Sequence, residues 1–130
     1  MHKYQLQFQS VWEQTMSDDQ KKKFARIVSS LPFVENQLTT KSVIANYKEN
    51  GGFVVTVLLN NGYPHSFEIH QAFVKVTNSD NVLIAEGRFK PGLTIDRHCS
   101  QPWSFVFSKE MVLHPNGALY QVNVEVFTND

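Results

Sequence analysis

The chain has 130 residues, 42% of them hydrophobic, a size at which one core can be buried without a disulfide or metal staple. Its 12 Lys and Arg balance 12 Asp and Glu, which leaves no basic footprint for nucleic acid and no charge to hold an anionic membrane. Cys99 is the single cysteine, which excludes an intramolecular disulfide and a cysteine-based zinc cluster and favours a reducing compartment.

Residues Met1 to Ser10 alternate polar and apolar without a long apolar run, so no secretory signal is expected. Apolar stretches such as 53–59 are too short to span a bilayer, and a cytoplasmic protein without membrane insertion is the expectation. Within that first segment Tyr4, Leu6 and Phe8 alternate with Gln5, Gln7 and Gln9, the period of a strand with one apolar face. Glutamines on its other face suit a sheet edge. Ser17 and Gln20 then have the spacing of a capping box, and Asp18 and Asp19 suit the positive end of a helix. Phe24, Ile27, Val28 and Leu31 form one apolar stripe, and Pro32 stops the pattern. A helix is predicted over about 18–30, with that stripe buried.

Beyond Pro32 turn residues recur at short intervals, in Asn50-Gly51-Gly52, Asn60-Asn61-Gly62, 78–81, Pro91-Gly92 and Pro115-Asn116-Gly117. Between them lie Val-, Ile- and Phe-rich runs at 42–48, 53–59, 66–76, 82–89, 103–107 and 119–127, which predicts a sandwich or small barrel. Asn50-Gly51 predicts a type I′ hairpin. The run at 53–59 is apolar on both faces and should be central. Trp103, Phe105 and Phe107 share a face and read as core, and Tyr120, Val122, Val124 and Val126 read as a half-buried strand. Apolar parity changes between Phe67-Ile69 and Ala72-Val74-Val76, which predicts a bulge near Gln71. No internal repeat or linker is present, so residues 1–130 read as a single domain.

The search for chemistry returns little. His65 and His70 differ by five positions and would face opposite sides of a straight strand, and His98 has at most Asp96 beside it. No metal and no cofactor are expected. Ser100 and Cys99 adjoin His98, but neighbours on an extended chain diverge, and no G-x-S-x-G elbow exists. Lys21-Lys22-Lys23 reads as a solvated helix face. Among the aromatics, Trp12 and Tyr63 are the candidate exposed contacts, one near the helix start and the other at a turn.

A helix ending in Leu31-Pro32, then Asn50-Gly51-Gly52-Phe53-Val54-Val55 leading to Leu59-Asn60-Asn61-Gly62, resembles the start of the SLAP domain. This is the S-layer assembly domain of the accessory secretion system of Bacillus-like bacteria. Ala85-Glu86-Gly87-Arg88-Phe89 and Gln101-Pro102-Trp103-Ser104-Phe105-Val106-Phe107 resemble two further segments of that family, so the resemblance spans roughly 4–113. It implies a bacterial domain without catalytic residues, linked in some members to protein export.

The expected fold is mainly β, an immunoglobulin-like β-sandwich of about seven strands with one N-terminal helix. The expected function is a non-catalytic protein-interaction module, linked to export or assembly of cell-surface (S-layer) proteins, with association to the cell surface through them. Its candidate partner-binding residues are Trp12, Tyr63, Tyr4, Leu6 and Phe8, and a homodimer through a sheet edge is compatible with that edge strand. A carbohydrate-binding module at the cell wall is the alternative, requiring two exposed coplanar aromatics. A small hydrolase would need a pocket around His98.

Overall fold

The computed structural model describes residues 3–8, 14 and 16–128. Its chain is mainly β, with 48% of residues in strands and one α-helix among the described residues. The strands are β1 (Gln5–Leu6), β2 (Leu38–Tyr47), β3 (Phe53–Asn61), β4 (Phe67–Ile69), β5 (Ala72–Asn78), β6 (Leu83–Phe89), β7 (Leu93–Ile95), β8 (Cys99–Phe107) and β9 (Val122–Thr128). Helix α1 is Asp18–Ser30, and a 3₁₀ turn covers Lys109–Met111. Three sheets have the orders β1-β8-β3-β2, β4-β7 and β6-β5-β9.

Contacts gather the chain into two compact units. The first comprises Met1–Thr39, Leu59–Phe67 and Thr94–Pro102, and the second Thr40–Leu58, Glu68–Leu93 and Trp103–Asp130.

In the first unit α1 begins where the capping box placed it. The Ser17 hydroxyl accepts the Gln20 N–H at 3.2 Å, and the Gln20 side chain accepts the Ser17 N–H at 3.0 Å. Two of the donors that every helix start leaves orphaned are thereby satisfied. The helix ends at Ser30, as Pro32 requires, and its apolar stripe buries Phe24 and Val28. Phe24 meets Phe8 edge-on, with centroids 6.5 Å apart. Of the segment expected to form a strand over Tyr4 to Gln9, the described residues pair at Gln5–Leu6, parallel to β8, and Gln9 lies outside the described residues.

The second unit holds two antiparallel ladders built on β5. β5 pairs with β6 on one side and β9 on the other, with Val74 and Val76 fully buried. Phenylalanines connect its strands. Phe89 of β6 lies 5.2 Å from Phe105 and 5.0 Å from Phe107 of β8, and Phe53 of β3 lies 6.0 Å from Phe107. β3 lies between β8 and β2, the central place its two apolar faces require.

Several expectations need correction. Nine strands are present among the described residues rather than about seven, because β1, β4 and β7 are pieces of two or three residues. The parity change near Gln71 is not a bulge: β4 and β5 belong to different sheets, and the chain crosses between them at His70–Gln71. The hairpin at Asn50-Gly51 is not type I′. Only Gly51 has positive φ (89°), and the loop runs from Lys48 to Gly52, closed by the Lys48 N–H donating to the Gly52 carbonyl at 2.8 Å. Asn50 contributes its side chain, which accepts the Gly52 N–H at 2.9 Å. Tyr120 precedes β9 instead of belonging to it, and Trp103 is only half-buried while Phe105 and Phe107 are core.

Candidate functional site

Two regions concentrate the polar and aromatic side chains that the sequence leaves unassigned. In the first unit the corner after β3 is built on Asn61, which is fully buried. Its amide nitrogen donates to the carbonyls of His65, Ile95 and Asp96 at 2.9, 3.0 and 3.2 Å, and its oxygen accepts the Tyr63 N–H at 2.9 Å. A buried amide with its donors and acceptor engaged locks the local main chain and exposes nothing reactive. Beside it the Ser100 hydroxyl donates to the Asn60 side chain.

This geometry disposes the residues around His98 for structure. Ser100 is committed to Asn60, and the His98 ring lies edge-on to Phe33 at 5.0 Å, on a backbone with φ of 56°. Burial and the Asp96 carboxylate push the Cys99 thiol up, so it is held in its protonated, poorly nucleophilic form. A shallow cavity of about 320 Å³ is lined by Glu35, Asn36, Gly62, Pro64 and His98. Among the described residues no group of three His, Cys, Asp or Glu side chains is placed to hold a metal ion.

The candidate contact residues are scattered in their environments. Tyr4 is buried, and its hydroxyl accepts the Val34 N–H at 3.1 Å while its ring meets Phe33 at 4.7 Å. Leu6 and Phe8 are half-buried. Tyr63 is half-buried and stacks on both His65 and Phe67, with centroids 5.3 and 5.4 Å away. Trp12 lies outside the described residues.

The second unit presents an open groove that sequence reading missed. It encloses about 410 Å³ between residues 41–45 of β2, the end of β5 at Asn78 and Ser79, and residues 119–123 leading into β9. Tyr120 is 78% exposed and Ile44 51% exposed on its walls. The Ser42 hydroxyl donates to the Val122 carbonyl at 2.9 Å, and polar residues such as Asn78 and Gln121 share the groove lining with Ile44 and Tyr120. A signal was available in the long connection from β8 to β9, where Tyr120 continues the parity of Val122 and Val124. That parity implied burial, yet the residue stands before the strand begins. On the outer face of β5-β9, Phe127 is 49% exposed, and Phe73 lies beneath the Arg88 guanidinium at 5.6 Å.

No helix among the described residues is long and apolar enough to cross a membrane. A family model described as the SLAP domain matches residues 6–126, nearly the whole chain. No curated protein and no solved structure matches it.

Proposed function

We propose, from the fact that this chain belongs to the SLAP domain family, that it is a non-catalytic protein-interaction module that engages exported surface proteins directly. The SLAP domain is a domain of the accessory secretion system, linked to secretion and assembly of surface proteins, and is not a known catalytic family. The observation that carries the proposal is the exposure of Tyr120 and Ile44 around one groove. Large apolar side chains grouped on an open surface favour a protein partner, with aromatic residues as its anchors.

The domain works in the cytoplasm in this proposal and meets the cell surface through the proteins it handles. We also propose an immunoglobulin-like sandwich for the second unit. The orders β2-β3-β8 and β6-β5-β9, together with the Phe89 contacts to Phe105 and Phe107, support it. The carbohydrate-binding alternative needs two flat aromatic faces open to solvent, whereas Tyr63 already gives its ring to His65 and Phe67.

The test is a binding measurement between the purified chain and exported surface proteins of the same cell. Tyr120→Ser should weaken binding about tenfold or more if Tyr120 is an anchor. Unaltered affinity in both Tyr120→Ser and Ile44→Ser, or no stable protein partner from a native lysate, would refute the reading.

A further inference from the structure

The strand that borders the groove has main-chain groups left over. Asn78, the last residue of β5, lies opposite Val122 in the antiparallel register. Its N–H donates to the Val82 carbonyl at 3.0 Å, and its carbonyl accepts the Asn81 N–H at 3.0 Å. Both groups therefore face the β5–β6 turn. The Asn78–Val122 pair must then be one of the non-hydrogen-bonded pairs of the ladder, with the Val122 main chain turned away from β5. The Ser42 hydroxyl bound to the Val122 carbonyl at 2.9 Å reports the same orientation independently. Alternation turns the N–H and C=O of Val124 and Val126 outward as well, while Asn123, Glu125 and Phe127 face their partners Thr77, Lys75 and Phe73. β9 ends the order β6-β5-β9, so among the described residues no strand takes up those outward groups.

Donors and acceptors alternating along an extended edge are complemented by another extended polypeptide backbone. We infer that the free edge of β9 is a docking site for an extended segment of a protein partner, added as a fourth strand to β6-β5-β9. This rests on the protein-interaction reading and supplies its site. Because Ser42 already holds the Val122 carbonyl, the segment pairs with the stretch from Val124 to Thr128, about five residues, and carries apolar side chains at alternate positions, those at its groove end covering Ile44 and Tyr120. Charge selects one more feature. Lys41 is exposed and is the one charged side chain among the described residues that line the groove, so the segment carries a carboxylate at that end. A second copy of β9 fits poorly, because pairing about the strand centre sets Glu125 against Glu125.

The probe is the acetylated heptapeptide Asp-Val-Thr-Val-Thr-Val-Thr, added to the full ¹⁵N-labelled chain while amide exchange is followed by NMR. The Val124 and Val126 amides should slow about tenfold or more, and the Glu125 amide, already paired with β5, should change little. Lys41→Glu should weaken binding about two- to fivefold, and a Lys-headed version of the peptide should recover it. Val126→Pro removes an outward N–H without touching the β5 ladder and should abolish binding. If that variant does not fold, the Lys41 charge swap decides. Absence of slowing at Val124 and Val126 overturns the edge site, as does protection of these amides by self-association without peptide. A bound partner protein that leaves them unprotected overturns the site while the protein-interaction reading stands.

Discussion

Gly62 offers the sharpest check on the packing of the first unit. Its N–H donates to the Gln37 carbonyl at 2.9 Å, and its own carbonyl accepts the Asn36 N–H at 2.9 Å. A Cβ at this position would lie 1.8 Å from the Val34 carbonyl oxygen and 3.0 Å from that of Gln37. Every one of these obstacles is main chain, so no rotamer change relieves the clash. The segment 34–37 must retreat by more than 1 Å, and two hydrogen bonds cannot stretch that far and survive. Overpacking of a buried site costs about 1–3 kcal/mol. Loss of two hydrogen bonds adds about 0.5–1.5 kcal/mol each. Gly62→Ala should therefore destabilise by roughly 3–5 kcal/mol, a large share of the ~5–15 kcal/mol typical of a domain. Urea unfolding reads this as a midpoint lowered by about 2 M, with the slope unchanged. Gly92→Ala is the control: at φ of 57° with open space around it, it should cost only the left-handed penalty of about 1–2 kcal/mol. If Gly62→Ala is no worse than Gly92→Ala, the close approach of 34–37 to Gly62 is wrong.

Phe24→Ala should cost about 3–5 kcal/mol, because the ring is 7% exposed and meets Phe8; thermal unfolding of the variant checks it, and a loss below about 1 kcal/mol would place the stripe in solvent. Cys99 should alkylate slowly with iodoacetamide, with a rate-against-pH midpoint above that of a free cysteine. Because its folded pKa is raised, its contribution to stability is full below the unfolded pKa and is lost as pH rises through the folded value. Unfolding curves should weaken on the alkaline side, and Cys99→Ser should flatten that decline.

Elements whose cause is local were legible in the residues. The capping box, the stripe through Phe24 and Val28, and the stop at Pro32 bound the helix within a residue of its observed ends. The burial of β3 followed from apolar side chains on both faces. What failed had non-local causes. A parity change at Gln71 has the same appearance in sequence whether a strand bulges or leaves one sheet for another, and only the partners of β4 and β5 distinguish the two. β7 is three residues long, too short for periodicity to register. An Asn-Gly pair predicts two left-handed residues, yet Gly51 alone takes positive φ. Gly52 is needed for a different reason, since a Cβ there would meet the Phe107 carbonyl oxygen at 2.6 Å.

The candidate site was illegible for a related reason. Side-chain alternation reports faces, so it assigned Val122, Val124 and Val126 to one side of a strand and Asn123 and Glu125 to the other. It carries no information about the perpendicular direction, in which main-chain N–H and C=O groups point. That direction depends on which neighbour each strand has, and in β9 it turns on two particular facts: Asn78 spends its main chain on the β6 side, and Ser42 reaches across to the Val122 carbonyl. A polar residue such as Ser42 has no distinctive pattern in sequence. Its hydroxyl shows the orientation of the whole edge because the alternation of the ladder propagates one bond along seven residues. A function exercised through backbone groups therefore leaves a faint trace in residue identity, and a chain with no converging His, Cys or carboxylate cluster among its described residues can still carry a specific site.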